Sequence, residues 1–267
     1  MPKGKPTSKH HEDAIIAAYL NGATQKEAAA LFGYSRDVCQ DILRRNGIET
    51  RPPSKTNRRY TVDHNFFDTI STEAKAYWLG FLTADGCVSC NNIILGLHTI
   101  DLDHIYKFAA ALCCKYPITF KEDSRNGSPF ASININSEQL VKALACLGVG
   151  EHKSLTVQPC QRVPDHFLRH YWRGIMDGDG SISYNKADKS WHVRLFGNEA
   201  IVRGFCNFLS QFVNSKATVR RHKTIFEIQY VGNRLASAIL QVLYANATIY
   251  LDRKYDLAQK VLNRHLP

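Results

Sequence analysis

The chain has 267 residues with 44% hydrophobic content, enough to bury a core in one large or two modest domains. Its formal net charge of +10 and pI near 9.2 point to a polyanionic partner. No apolar run can span a bilayer, the basic N-terminus lacks a signal core, and the expectation is a soluble intracellular protein of cytoplasm or organelle matrix. The eight cysteines (39, 87, 90, 113, 114, 146, 160 and 206) fall mostly in apolar periodic segments, which predicts reduced, buried thiols. Cys87 and Cys90 have half the spacing of a zinc site, but no second pair matches them.

Residues 1–50 read as a basic arm followed by a small helical domain. A first helix covers Glu12 to Leu20 and stops at Gly22. Thr24-Gln25-Lys26-Glu27 is a capping box that opens a second helix. After Gly33, Ser35 is placed to cap a third helix from Arg36 to Arg45. Two helices, a glycine turn and a third helix bearing exposed Arg and Gln form a helix-turn-helix pattern. Ser35, Arg36, Gln40, Arg44 and Arg45 are its candidate DNA contacts, although a small protein-interaction module would share the pattern. Residues 51–65 form a basic linker whose Pro52-Pro53 blocks helix formation and whose Arg51, Arg58 and Arg59 can lie along phosphates or simply in solvent. Residues 1–60 hold 11 Lys and Arg against 6 Asp and Glu, so this first quarter carries half of the charge excess.

The remainder states one stretch twice. Tyr77-Trp78-Leu79-Gly80-Phe81-Leu82-Thr83-Ala84-Asp85-Gly86-Cys87-Val88-Ser89 matches Tyr171-Trp172-Arg173-Gly174-Ile175-Met176-Asp177-Gly178-Asp179-Gly180-Ser181-Ile182-Ser183 at six of thirteen positions. That agreement reads as an internal duplication, with halves at 66–150 and 151–267. Each copy predicts a buried helix ended by Asp-Gly, with the glycine in the left-handed stop position. Gly80 and Gly174 would each cost roughly 1 kcal/mol in an exposed helix, so they predict a seam where two helices touch. If the helices pack side by side, Asp85 and Asp179 meet, and at ~6 Å they repel by roughly 3 kcal/mol. A divalent cation between them removes that penalty, and hard oxygen ligands suit magnesium or calcium.

Each half continues as helix, two strands, helix, two strands, helix, an α+β class with two pseudo-symmetric αββαββα halves. Ser132, Asn134 and Asn136 alternate with Ile133 and Ile135; His192 and Arg194 alternate with Val193 and Leu195; Gln229 lies between Ile228 and Tyr230. Each sheet therefore has an apolar face and a face of amide, imidazole and guanidinium groups able to contact base edges and phosphates. Ser124-Arg125-Asn126-Gly127 reads as a hairpin, and Arg220, Arg221 and Lys223 cluster at a second one.

Trp78 to Gly86 and Trp172 to Gly180 resemble the nine-residue signature of the LAGLIDADG homing endonucleases in their single-chain, two-motif form. Thr83 stands where that family often carries an earlier Asp. The resemblance covers about residues 66–262 and implies two curved sheets forming a saddle over the DNA major groove. It implies a monomer that cuts both strands of a long, asymmetric duplex site. Mg²⁺ would be held by Asp85 and Asp179 with help from the carbonyls of Ala84 and Gly178, and Mn²⁺ or Ca²⁺ could substitute for binding. Lys153 and Lys254 match the lysines that line the family's water pocket. Two alternatives on the same fold stay open: a DNA-binding regulator that does not cut, and an RNA-splicing maturase. The chain begins Met-Pro-Lys and ends Arg-His-Leu-Pro, an arrangement that argues against an intein.

Overall fold

The computed structural model describes residues 7–50, 60–123, 127–151, 153–222 and 224–263. The chain divides into two compact units, Met1–Arg59 and Tyr60–Pro267. Residues 51–59 of the linker with Arg51, Arg58 and Arg59, Lys223, the Ser124-Arg125-Asn126 hairpin tip and the outer part of the basic arm lie outside the described residues.

In the first unit, α1 (Lys9–Leu20), α2 (Gln25–Ala30) and α3 (Arg36–Arg45) close over Ile15, Tyr19, Ala28, Ala29, Cys39, Ile42 and Leu43. The capping box forms as read: Glu27 N–H donates to Thr24 Oγ1 at 3.1 Å and Thr24 N–H to Glu27 Oε2 at 2.8 Å. Gly22, Gly33 and Gly47 have φ of +107°, +71° and +68° at the turns that end the three helices. Ser35 occupies the N-cap position of α3, but its hydroxyl makes no capping bond there. That corrects the expected cap.

The second unit repeats one αββαββα plan. Its first half runs α4 (Glu73–Ala84), β1 (Gly86–Ser89), β2 (Asn92–His98), α5 (Leu102–Ala111), β3 (Ile118–Glu122), β4 (Pro129–Asn136) and α6 (Glu138–Cys146). Its second runs α7 (Leu168–Asp179), β5 (Gly180–Asn185), β6 (Ser190–Gly197), α8 (Glu199–Ser210), β7 (Arg220–His222), β8 (Ile225–Val231) and α9 (Asn233–Tyr244). A further helix, α10 (Asp252–Asn263), follows, and nothing in the sequence reading anticipated it as a helix. The sheets are antiparallel, with orders β1-β2-β4-β3 and β5-β6-β8-β7. The fold class is therefore α+β, as the periodicities predicted. Among the described residues no helix is long and apolar enough to cross a membrane.

The predicted strand alternation holds where it positions the sheets on the core. Ile133, Ile135 and Ile228 are wholly buried, while Asn134 and Asn136 are exposed. The cysteines depart from expectation: all eight are free, but Cys87, Cys90, Cys113 and Cys146 are exposed, and only Cys39 and Cys160 are buried. Apolar periodicity marks helix faces, and these four lie at strand, turn and helix-end positions that the core does not cover.

Candidate active site at the helix seam

The motif helices α4 and α7 pack backbone to backbone. A Cβ at Gly80 would collide with the carbonyl oxygen of Tyr171, and one at Gly174 with that of Tyr77, with Phe81 N only 2.7 Å away. Near the helix ends, a Cβ at Gly178 would collide with that of Ala84 and stand 3.3 Å from Asp85 Oδ2. Small residues at 80, 84, 174 and 178 thus bring the two Asp-bearing ends together. Gly86 and Gly180 work differently from the sequence expectation. Neither has positive φ, and Gly180 is extended at φ −93° and ψ 170°. A side chain there would strike the preceding helical turn, Leu82 in one copy and Met176 in the other. These glycines let each strand leave the helix end closely, which corrects the left-handed stop.

Asp85 is the C-cap of α4 and Asp179 the last residue of α7. Burial and the facing Asp85 carboxylate push Asp179 up to about 6, against the pull of Lys153 and Lys254. Relative to an ordinary exposed aspartate, the site disfavours the ionised form by roughly 3 kcal/mol at about 1.4 kcal/mol per pH unit. Asp85 is open to solvent, yet the protein packed around its carboxyl still pushes its pKa up.

The two lysines sit on the helix ends in unequal ways. Lys254, buried and carried by α10, donates to the carbonyls of Met176 at 2.9 Å, Asp177 at 2.6 Å, Gly178 at 3.3 Å and Gly180 at 2.6 Å. Three N–H groups are thus spread over four acceptors, a C-terminal cap in the favourable sense of the helix dipole. Burial pulls its pKa down to about 8. Lys153, also buried, donates to Ala84 O at 3.1 Å, and burial lowers its pKa against the pull of Asp179 and Asp85. The carbonyls of Ala84 and Gly178, expected as metal ligands, therefore both accept from ammonium groups.

Sequence reasoning missed the polar network beneath the seam. Asp177 is buried and accepts from Tyr77 OH at 2.7 Å, Tyr244 OH at 2.5 Å and Leu251 N–H at 2.9 Å. Because Tyr77 spends its proton on Asp177, His104 Nε2 donates to Tyr77 OH at 3.0 Å, and burial drives the imidazole pKa down to about 3. Arg173, wholly buried, pairs with Glu73 Oε1 at 2.6 Å and donates to Ile249 O and Leu243 O, both at 2.9 Å. The signal for this network was a charged residue, Arg173, within the otherwise uncharged Tyr171–Met176 stretch of α7; its partners are too distant in sequence to be inferred.

Other predicted contact residues are distributed as follows. On the first sheet, Asn134 and Asn136 are exposed and Ser132 is half-buried with its hydroxyl 3.0 Å from Thr119 Oγ1. On the second, Arg194 and Gln229 are cross-strand partners on one face, while Arg220 pairs with Glu227. Arg221 pairs with Phe226, on the face opposite Arg220 by strand alternation, and is exposed on its edge strand. His192 is not an exposed reader: it is buried, with Nε2 2.9 Å from Asp188 Oδ2 and Nδ1 2.9 Å from Gln229 Nε2. The 185–190 hairpin turns back over it. In the first unit Gln40 is exposed, Arg36 Nε donates to Gln25 Oε1 at 3.2 Å, Arg44 pairs with Asp41 at 3.1 Å and Arg45 lies 3.6 Å from Glu12.

Comparison with solved structures now bears on this arrangement. The meganuclease I-SmaMI, solved bound to uncleaveable DNA with a TTCT central four, superposes with a TM-score of 0.50 at 12% identity, covering 70% of this chain and 88% of that one. The α+β fold is the LAGLIDADG fold. The homing endonuclease I-WcaI, bound to its DNA recognition sequence, gives a TM-score of 0.49 at 15% identity over 79% of this chain and 96% of that one. Full-length DUF199/WhiA from Thermatoga maritima gives 0.45 at 12% identity over 77% of this chain and 66% of that one. No protein-family model and no curated protein matches the sequence.

Proposed function

We propose that the chain is a metal-dependent DNA endonuclease that hydrolyses both strands of a long, asymmetric duplex site. The observation that carries this reading is the pair of carboxylates brought together at the α4–α7 seam, with Asp179 raised to about 6 by burial and by Asp85. A binding-only protein gains nothing from that repulsion, whereas a divalent cation relieves it.

The donor set fits a hard cation. Among the described residues no group of three or more His, Cys, Asp or Glu side chains converges, so the protein supplies few ligands and leaves positions open to phosphate and water. Asp85 and Asp179 would hold Mg²⁺, with Mn²⁺ or Ca²⁺ as substitutes for binding. The bound ion supplies Lewis-acid polarisation of a phosphate and a lowered pKa for water. The chain's own residues do the rest. Lys153, with one of its three N–H groups on Ala84 O, has donors left for a phosphate oxygen or a water beside Asp85. Lys254 holds the last turn of α7 in place and so orients Asp179. The polar sheet faces, through residues such as Asn134, Asn136, Arg194, Arg220 and Gln229, contact the duplex groove, which admits a two-stranded ribbon. The basic N-terminal unit adds contacts through Ser35, Arg36, Gln40, Arg44 and Arg45. The acidic Asp37 and Asp41 on the same exposed helix surface temper its charge.

The test is a nicking assay on a plasmid library with Mg²⁺ against EDTA. Metal-dependent nicks at defined positions support the reading; tight duplex binding with no cleavage in any divalent metal assigns the protein to the non-cutting regulators instead.

A further inference from the structure

Resting on the reading of the sheets as DNA-facing, a base assignment follows from strand register. Directly opposed residues in an antiparallel pair share a face. The two sheets can be aligned rung by rung, because Gly86 pairs with Leu95 and Leu95 with Ile133, as Gly180 pairs with Leu195 and Leu195 with Ile228. One step outward from these glycines, the polar face of the first sheet presents Cys87, Ile94 and Asn134, and that of the second Ser181, Arg194 and Gln229. One step inward stand Gly96, Ser132 and Thr119 against Phe196, Glu227 and Arg220. At these positions the first sheet carries no charge, while the second carries three charged side chains.

Arg194 differs from its neighbours in a second respect. Its Nε is buried and has no hydrogen-bond partner among the described residues. A buried donor left unpaired is costly, and it marks this side chain as unsatisfied in the free protein. The half-buried residue leaves base contact to its terminal nitrogens, which are not among the buried unpaired atoms. Its cross-strand partner Gln229 donates Nε2 to His192 Nδ1 at 2.9 Å, and among the described residues Arg194 Nε has no acceptor, the Gln229 amide oxygen included. Arg194 also lies on β6, an inner strand of its sheet, as Ile94 lies on the inner strand β2. An inner strand faces the floor of a groove, where base edges are, while edge strands lie nearer the phosphate rims. A guanidinium fork there matches guanine O6 and N7, and an aliphatic side chain matches the thymine methyl.

We propose that Arg194 is a specificity-determining residue that reads a guanine in the half-site under the second sheet. At the pseudo-symmetric position of the other half-site, Ile94 favours an A·T pair through the thymine methyl. The target is thus unlike in its two halves at a position the protein's own duplication makes equivalent.

The test is selection of bound duplexes from a randomised pool by the full chain, with Ca²⁺ as the metal. Wild type is expected to select G·C at one such position and A·T at its counterpart. Arg194→Ala and Arg194→Lys should each lower the guanine preference there by about five- to a hundredfold, leaving other positions unchanged. Ile94→Arg should create a new guanine preference in the first half-site. Uniform weakening of all duplexes by Arg194→Ala, with a shallower salt dependence, would mark a phosphate contact and overturn the assignment. A wild-type selection with no such asymmetry overturns it too while leaving the nuclease reading standing. Failure of the wild type to retain any duplex overturns both.

Discussion

The two halves of the second unit keep the same carboxylate and diverge in what holds it. In the second half, Asp179 ends a helix capped by Lys254 through four carbonyls, above a buried Asp177 that ties Tyr77, Tyr244 and Leu251 together. In the first half, Thr83 replaces Asp177 and returns its hydroxyl to Leu79 O of its own helix at 2.7 Å, and among the described residues Lys153 reaches Ala84 O alone. A duplicated seam can thus keep its carboxylates identical while one copy's lysine bonds four carbonyls and the other's, among the described residues, bonds one. The difference lies in long-range packing: α10 follows only the second half and delivers Lys254 to the helix end.

The largest expected effect breaks the anchor. Asp177→Ala leaves two buried hydroxyls and the Leu251 N–H without their acceptor, and should destabilise by about 3–5 kcal/mol, against about 1 kcal/mol or less for Thr83→Ala. Thermal unfolding of both variants checks this, and equal losses would erase the contrast between the halves.

Next in size is the exchange of lysine roles. Lys254→Met should lower stability by about 2–3 kcal/mol, because several helix-end carbonyls lose their donor, while Lys153→Met should cost less stability and more cleavage rate per bound complex. Paired denaturant titrations and single-turnover cleavage separate the two outcomes.

A smaller effect concerns acid. His104 packs beside Phe81 and Trp78, and its counterpart in the second half, counting back from Phe108 and Phe205, is the apolar Ile201. His104 has a folded pKa of about 3, below its ordinary 6.5. Its contribution is therefore complete above 6.5 and is lost as pH falls toward 3, at up to about 1.4 kcal/mol per pH unit. His104→Ile should flatten that slope and move the acid-unfolding midpoint downward, at a cost of about 1 kcal/mol at neutral pH for the lost Tyr77 contact. An unchanged slope would assign the acid sensitivity elsewhere.

How much of this could be read in advance follows the range of the interactions. The αββαββα order, the seam glycines and the meeting of Asp85 with Asp179 rest on local periodicity and on a repeated motif, and both are written along the chain. The Asp-Gly dipeptides were ambiguous, since a left-handed stop and a close strand exit both ask for glycine. The resemblance placed Lys254 in a water pocket, but its capping of α7 could not be foreseen, because α10, rich in Asp, Arg, Lys and Gln, hides its buried stripe of Lys254, Ala258 and Val261. Asp177, Arg173 and His104 are defined by partners from 27 to 100 residues away, which no window of sequence contains.

The central claim is that Asp179 acts in strand scission and not in holding the duplex. Its most direct test is cleavage of a both-strand end-labelled target by Asp179→Asn in Mg²⁺, with affinity measured on the same duplex. Loss of cleavage of at least one strand at nearly unchanged affinity is the predicted result. Weakened affinity with undiminished cleavage of each bound complex would contradict it.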